Sequence, residues 1–543
     1  MEKRRSSDHL DASALLCDGL APWQASPFRE VRATPAPGLD TSDESDKSDM
    51  KERMTESVDV LVVGAGLSGI AAAYHLQTES PNRSYAILES RETLGGTWDL
   101  FRYPGIRSDS DMHTLGFSFR TWNGAKAIAD GPAILEYIRD TARDHGIDRK
   151  IRYRHRVERA SWSSVTARWT VEARRTDTGE VVTMTCRFLF MCSGYYDYAG
   201  GYTPDFPGAS RFKGRIVHPQ MWTDDVDYDG KRVVVIGSGA TAITLVPELA
   251  KKAAHVTMLQ RSPTYILARP AVDRVARMLD RVLPSKVAYD MTRWKNVLLG
   301  MALFNFSRRY PARAKKLVVN EVRKILGPDF DVATHFTPSY GVWDQRLCLA
   351  PDADFFTAMQ DGRVDVVTDH IESFTETGIS LRSGKQLDTD LVVTATGLKL
   401  LLLGDVKLTV DGAAVDVGKT MNYRGTMLSD VPNLAIALGY TNASWTLKCD
   451  LVCEYVCRLL NLMEEKGYDT CVARMKDRGD GADEEPLLDF SSGYVQRAIT
   501  ELPKQGKKAP WKLYQNYFLD LLGLRYGGIE DGVIELSRRL RER

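Results

Sequence analysis

The chain has 543 residues, in which 72 Lys and Arg offset 72 Asp and Glu for a formal net charge of zero. That balance supplies no global field for nucleic acid or an anionic surface, and the length exceeds what one hydrophobic core usually spans, so two or more domains are expected. The eight cysteines (Cys17, Cys186, Cys192, Cys348, Cys449, Cys453, Cys457 and Cys471) contain no CxxC pair and no zinc spacing, which excludes a disulfide scaffold and predicts reduced thiols with no metal site.

Residues 1–56 are rich in Ser, Asp, Glu, Lys and Arg and contain no apolar segment of signal-peptide length. They are expected to form a disordered tail on a cytoplasmic protein. Structure is expected to begin at "VDVLVVGAGLSGIAAAYHLQ", a strand over Val58–Val63 running into Gly64, Gly66 and Gly69 and then an Ala-rich helix. This is the strand, turn and helix context that gives a GxGxxG match its weight. Gly64 makes the tight turn, Gly66 admits backbone N–H groups to a pyrophosphate, and Gly69 lets helix pack on strand. The helix N-terminus adds partial positive charge. The next strand, "SYAILE", ends at Glu89, placed to accept hydrogen bonds from a ribose diol and to repel a 2′-phosphate. The first site therefore takes FAD or NAD and rejects NADP.

The pattern returns at "KRVVVIGSGATAITLVPELA", with Gly237, Gly239 and Ala242 in the glycine positions. Its following strand, "HVTMLQRS", passes Gln260 to end in Arg261 and Ser262, which suit a dianionic 2′-phosphate, so the second site takes NADPH. Residues 270–330 read as a helical insertion carrying, from Arg274 to Lys324, thirteen Lys or Arg against three Asp or Glu. Such a run reads as a solvated helical face. Its other reading is a basic amphipathic element lying on an anionic bilayer, which would place the protein peripherally on the inner face of the cell membrane. The longest apolar run, "VLLGMALFNF" from Val297, is about half the ~20 residues that a membrane span needs.

In "DTDLVVTATGL" the strand Leu391–Thr394 is expected to return the chain to its first domain. The fold class is thus α/β, with two nested Rossmann-like dinucleotide-binding domains. An FAD domain over 57–200 and 386–543 is interrupted by an NADPH domain over 201–385 that carries the helical insertion. Cys449, Cys453 and Cys457 recur every four residues in "LKCDLVCEYVCRLLNLM", a stripe read as buried core in preference to a soft-metal site.

Two further signatures carry a family resemblance. "FKGRIVHPQMW" matches FxGxxxHxxxW at Phe212, Gly214, His218 and Trp222, with Thr223 where Pro or Asp is usual, and "GGTWDLFRYPGIRSD" meets GGxWxxxxYPGxxxD at Gly95, Gly96, Trp98, Tyr103, Pro104, Gly105 and Asp109. With "YGVWDQRLCLAPDADFF" and "GYTNASWTLK", the chain resembles the class B flavoprotein monooxygenases of the type I Baeyer-Villiger kind, in their ethionamide-activating (EthA-like) branch. The likeness runs from about residue 57 to the region of Tyr517. It implies that NADPH reduces FAD, that reduced FAD and O2 give a C4a-peroxyflavin, and that ketones become esters or lactones. Oxidation of sulfides or thioamides at sulfur is implied as a second activity.

By the same resemblance Arg346 is the catalytic arginine, Asp109 holds it in register, and Gly96, Thr97 and Trp98 belong to the flavin site. Many relatives carry Lys before that arginine. Gln345 stands here instead, so Arg261 must carry more of the 2′-phosphate selectivity. The fingerprint is expected to couple the domains: Gly214 permits a tight bend, His218 hydrogen-bonds backbone on one domain without moving a proton, and Trp222 packs on the other. Three alternatives share the nucleotide folds. They are an N- or S-hydroxylating flavin monooxygenase, a non-catalytic nucleotide sensor, and a flavin disulfide reductase. The last needs a redox cysteine pair beside the flavin, whereas no cysteine follows "GGTWD" until Cys186. The partners expected are a small ketone or sulfide and O2.

Overall fold

A computed structural model describes residues 56–475, 484–488 and 490–539. The expected tail, apart from Glu56, and Cys17 lie outside the described residues. The first strand, β1 (Glu56–Val63), is buried throughout from Val60 onward, the signature of a strand flanked by parallel neighbours and covered on both faces. Helix α1 (Leu67–Glu79) leads to β2 (Tyr85–Leu88), parallel to β1. After α2 (Gly131–Asp144), β3 (Ile151–Arg152) extends that edge. An antiparallel meander of β4 (His155–Ser163), β5 (Arg168–Arg175) and β6 (Val181–Met191) then brings its last strand back beside β1 in parallel. Along β5 alternate residues Trp169, Val171 and Ala173 are buried, as one-sided burial requires.

The chain then builds a second sheet. β7 (Arg215–Val217), β8 (Arg232–Ile236), α3 (Ala240–Leu249) and β9 (His255–Gln260) follow in order, with β8 parallel to β9. β10 (Ile266–Arg269) is separated from its parallel partner β11 (Cys348–Pro351) by three long helices, α4 (Arg274–Val282), α5 (Ser285–Arg309) and α6 (Pro311–Leu326), and by a short one over Val332–Phe336. The basic segment is therefore a helical insertion spliced into a two-stranded ribbon. β12 (Val364–Thr368) rejoins beside β9, and β13 (Ile371–Phe374), β14 (Gly378–Leu381) and β15 (Gln386–Asp388) form a small antiparallel sheet of their own.

β16 (Leu391–Thr394) corrects one expectation. It does not close the first sheet but inserts in parallel between β8 and β7 of the second. All four of its residues are buried, a pattern that fits the centre of either sheet, so its sequence could not choose between them. The chain returns only after Thr394 and not near residue 385. β17 (Lys407–Val410) pairs with β4, β18 (Ala413–Ala414) with β17, and β19 (Leu434–Ile436) with β6. Finally α7 (Trp445–Lys466) packs on α1. Cys449, Cys453 and Cys457 lie along its buried face in the core between α1, α7 and the first sheet. Among the described residues no helix is long and apolar enough to cross a membrane.

Candidate active site

Both glycine turns are dictated by contact. Gly64 has φ +103°, and a Cβ there would lie 2.7 Å from the Cys192 carbonyl oxygen, while one on Gly69 would lie 1.9 Å from the Gly64 carbonyl oxygen. No side chain fits where helix and strand approach that closely. In the second turn Gly237 has φ +133°, and a Cβ there would lie 2.3 Å from the Ala395 carbonyl oxygen, while Ala242, in the third glycine's place, is fully buried. Helices α1 and α3 start at Gly66 and Gly239 with neither a side-chain cap nor an acidic residue in the first turn. Their unpaired N–H groups are the donors an anion requires. Gly64, Gly66, Gly237 and Gly239 line one continuous cavity of about 1460 Å³, larger than the ~300–1,000 Å³ of a single small-ligand pocket.

At the first turn Glu89 is buried, accepting from the N–H groups of Ala65 (2.8 Å) and Arg91 (2.9 Å). Burial raises its pKa against those hydrogen bonds. Gly66 and Gly96 face one another across 3.5 Å, measured from the Cβ position of Gly66 to the Gly96 Cα, and Thr97 Oγ1 lies 3.4 Å from the Tyr198 hydroxyl. Trp98 packs against the first core while lining the cavity. At the second turn Arg261 and Ser262 are exposed on the cavity wall, and Arg261 has no ion-pair partner among the described residues. Gln260 is instead buried, donating to His335 and Thr368.

Between the turns stands Arg346. Its Nη1 donates to Asp109 at 3.0 Å and its Nη2 to the Tyr195 hydroxyl at 3.2 Å. Burial opposes its charge, but Tyr195, Tyr494, Tyr196 and Asp109 outweigh that and hold its pKa well above the ordinary arginine value. Asp109 is placed by the segment before it. Phe101 and Tyr103 join the core of the second sheet, and a Cβ on Gly105 would lie 2.2 Å from Glu248 Cγ on α3. Arg346 follows the insertion, just ahead of β11. The structure thus brings together the two residues predicted to act as a pair.

The fingerprint sits on the crossing between the sheets. His218 Nε2 donates to the Gly397 carbonyl (3.1 Å) while its Nδ1 accepts from the Gln220 N–H (3.1 Å). Its ring also fills the space a Cβ on Gly201 would take, 1.9 Å away. His218 therefore touches both connections, at Gly201 on the outward one and Gly397 on the return. Burial lowers its pKa against the bond to Gly397, and both ring nitrogens are used by the neutral form. One expectation is corrected. Gly214 is required by closeness and not by a bend, since a Cβ would lie 2.5 Å from the Asp390 carbonyl oxygen. Trp222 packs within the second core, against Tyr228, on the other side of the crossing from the Gly397 carbonyl that His218 holds. Phe212 belongs to the apolar cluster around Phe374.

Sequence reasoning missed the aromatic wall around Arg346. Tyr195 and Tyr494 flank the guanidinium, and the Trp445 ring lies 5.1 Å from that of Tyr195, its Nε1 donating to Ser68 at 2.8 Å. The available signal was "MCSGYYD", a glycine turn at the end of an apolar strand like the other two. For Tyr494, over 140 residues from Arg346, there was none.

The described geometry matches known proteins. A flavin-binding monooxygenase-like family matches residues 127–326, and an NAD(P)-binding Rossmann-like domain matches residues 62–130. The chain is 54% identical over 487 residues to the FAD-containing monooxygenase EthA of Mycobacterium tuberculosis, spanning 90% of this chain and 99% of that protein. It belongs to the FAD-containing monooxygenases. Another such relative from the same organism, the putative FAD-containing monooxygenase MymA, is 49% identical over 89% of this chain and 98% of its own. In fold this monooxygenase is similar to an oxidized steroid monooxygenase bound to NADP, with TM-score 0.71 and 23% identity over 89% of this chain and 100% of that one. It is also similar to a cyclohexanone monooxygenase from Rhodococcus sp. Phi1 bound to NADP+, with TM-score 0.68 and 20% identity over the same shares.

Proposed function

We propose that this monooxygenase uses NADPH and O2 to convert ketones to esters or lactones, and that it also oxidises sulfides or thioamides at sulfur. The observation that carries the reading is Arg346, a fixed cation held by Asp109 and Tyr195 inside the cavity that both glycine turns line. FAD is assigned to Gly64, Gly66, Gly96, Thr97 and Trp98 with Glu89 on the ribose, and NADPH to Gly237, Gly239 and Ala242 with Arg261 and Ser262 on the 2′-phosphate. The FAD domain then comprises the first sheet and the chain after about residue 395, and the NADPH domain lies between the two crossings.

Bound FAD, once reduced, supplies the activation of O2. The chain's own residues do the remainder. As a ketone carbonyl carbon becomes tetrahedral, Arg346 stabilises the negative charge gathering on its oxygen, which preorganised donors do best in a site shielded from water. Asp109 and Tyr195 keep the guanidinium fork aimed, and Trp445, Tyr195 and Tyr494 exclude water. The overall balance is ketone, O2, NADPH and a proton giving ester, water and NADP+. The relatives' designation as FAD-containing monooxygenases supports this reading, as do fold neighbours bound to NADP. Incubation with NADPH, isotopically labelled O2 and panels of ketones and sulfides tests it. An ester carrying one labelled oxygen is expected. Sulfoxide without ester from any ketone would replace the reading with sulfur or nitrogen hydroxylation, and protein that takes up no FAD would overturn it altogether.

A further inference from the structure

Three helical segments leave apolar stripes in solvent. α5 presents Val287, Met291, Trp294 and Leu298, spaced by four, three and four residues, at exposures of 44, 49, 42 and 58%. Its opposite face is locked down. Arg293 donates to the backbone carbonyls of His113 and Gly116, and Tyr289 and Val297 are buried. The outer stripe is therefore not a displaced core face. α4 exposes Val275, Met278 and Val282 with the same helical spacing, and Phe518, Leu522 and Tyr526 are exposed on the turns after Asn516. The stripes adjoin, since α4 packs on α5 and the Trp294 ring lies 5.8 Å from that of Tyr517. Single exposed apolar residues are ordinary, but a continuous face marks a contact surface.

The charge beside this face identifies what covers it. On α4, Arg274, Arg277 and Arg281 each stand one residue before an exposed apolar neighbour, so a basic row runs alongside the apolar row. All three are exposed and make no ion pair among the described residues. We propose that the face formed by α4, α5 and residues 518–526 docks on an anionic lipid bilayer. An apolar stripe enters the interface, and the flanking arginines meet anionic headgroups. The inner face of α5 bears on the site: Val297 packs with Tyr440 and Leu447, and Tyr440 lines the cavity. A docked α5 would stand over one cavity wall, where apolar substrates could enter from the lipid. That clause alone rests on the proposed function.

The test is co-sedimentation of the full, FAD-loaded chain with phosphatidylcholine vesicles, with and without phosphatidylglycerol. Expected are binding that requires phosphatidylglycerol, release by high salt, and a roughly tenfold or greater loss of binding in both Trp294→Glu/Leu298→Glu and Arg277→Glu/Arg281→Glu. Unchanged flavin absorbance and melting temperature show that the variants fold. Failure of the parent to sediment, or equal sedimentation of parent and variants, would overturn the proposal. So would a dimer in size-exclusion chromatography that Trp294→Glu/Leu298→Glu dissociates, which assigns the face to a second copy. Sedimentation seen only after removal of residues 1–55 would also overturn it for the full chain. The assay reads no catalysis, so its outcome is separate from that of the ketone assay.

Discussion

Arg346 has one partner that the sequence signatures supplied, Asp109, and others that they did not, Tyr195 and Tyr494. Removing the charge in Arg346→Ala is predicted to lower kcat for ester formation by about 10²-fold or more, the range for losing one donor to a developing oxyanion. Arg346→Lys keeps a charge but cannot donate to Asp109 and Tyr195 in the same plane, so an intermediate loss is expected. Steady-state product formation measures both. Arg261, on the wall of the same cavity, has no ion-pair partner among the described residues and is the proposed contact for the 2′-phosphate. Arg261→Ala should raise the KM for NADPH by roughly tenfold, one charge-assisted hydrogen bond, and leave the KM for NADH nearly unchanged. An equal rise for both nucleotides would place the 2′-phosphate elsewhere, for instance toward Arg382 on the same cavity. The residues legible in the sequence are those fixed by local pattern. Tyr494 is not, because it comes to flank the guanidinium only when the chain's last quarter folds over Arg346, far upstream.

Among the elements, the first glycine turn and the α1–α7 pair have consequences of their own. A methyl at Gly69 would need space already taken by the Gly64 carbonyl oxygen. Gly69→Ala is therefore expected to open the turn and yield protein with little bound FAD, read from its visible absorbance. On α1, buried His75 has Nδ1 2.7 Å from Glu79 Oε1 and Nε2 3.7 Å from Asp450 Oδ1 on α7. Burial works against its charge, but Asp450 and Glu79 outweigh it and push the pKa up to about 9. A histidine whose folded pKa is raised stabilises the fold fully below its unfolded value of about 6.5, and that contribution is lost as pH rises through the folded value. About 3 kcal/mol is at stake. The melting temperature should fall between about pH 7 and pH 10 in the parent, while His75→Gln starts lower and stays level. A parallel decline in both proteins would exclude His75 as the cause. The helix was legible from its apolar pattern. The buried charge on it was not, because Asp450 lies 375 residues further along the chain.

Across the whole molecule, one domain is nested within another, and two connections must keep the sheets in register. His218 contacts both, over Gly201 and at Gly397. Losing it in His218→Ala is predicted to leave FAD content intact but raise the fraction of NADPH oxidised without product. His218→Gln, which retains a donor toward Gly397, should recover part of the coupling. Because burial lowers the pKa of His218, it stays neutral around pH 7 and gives no inflection in the parent's rate profile there. Oxygen uptake measured against product formation decides the first point, and an inflection near neutrality that disappears in the glutamine variant would contradict the second.

The sequence alone determined the two glycine turns, the opposite charges after their second strands, the helical insertion and the paired Arg346 and Asp109. Each is a short-range pattern whose chemistry is complete within a few residues or carried by a signature. Only the tertiary structure decided which sheet Leu391–Thr394 joins, which aromatic rings wall the arginine, and that the insertion's apolar stripe faces solvent. A fully apolar strand satisfies either sheet, and an amphipathic helix does not record which of its faces the rest of the chain will cover.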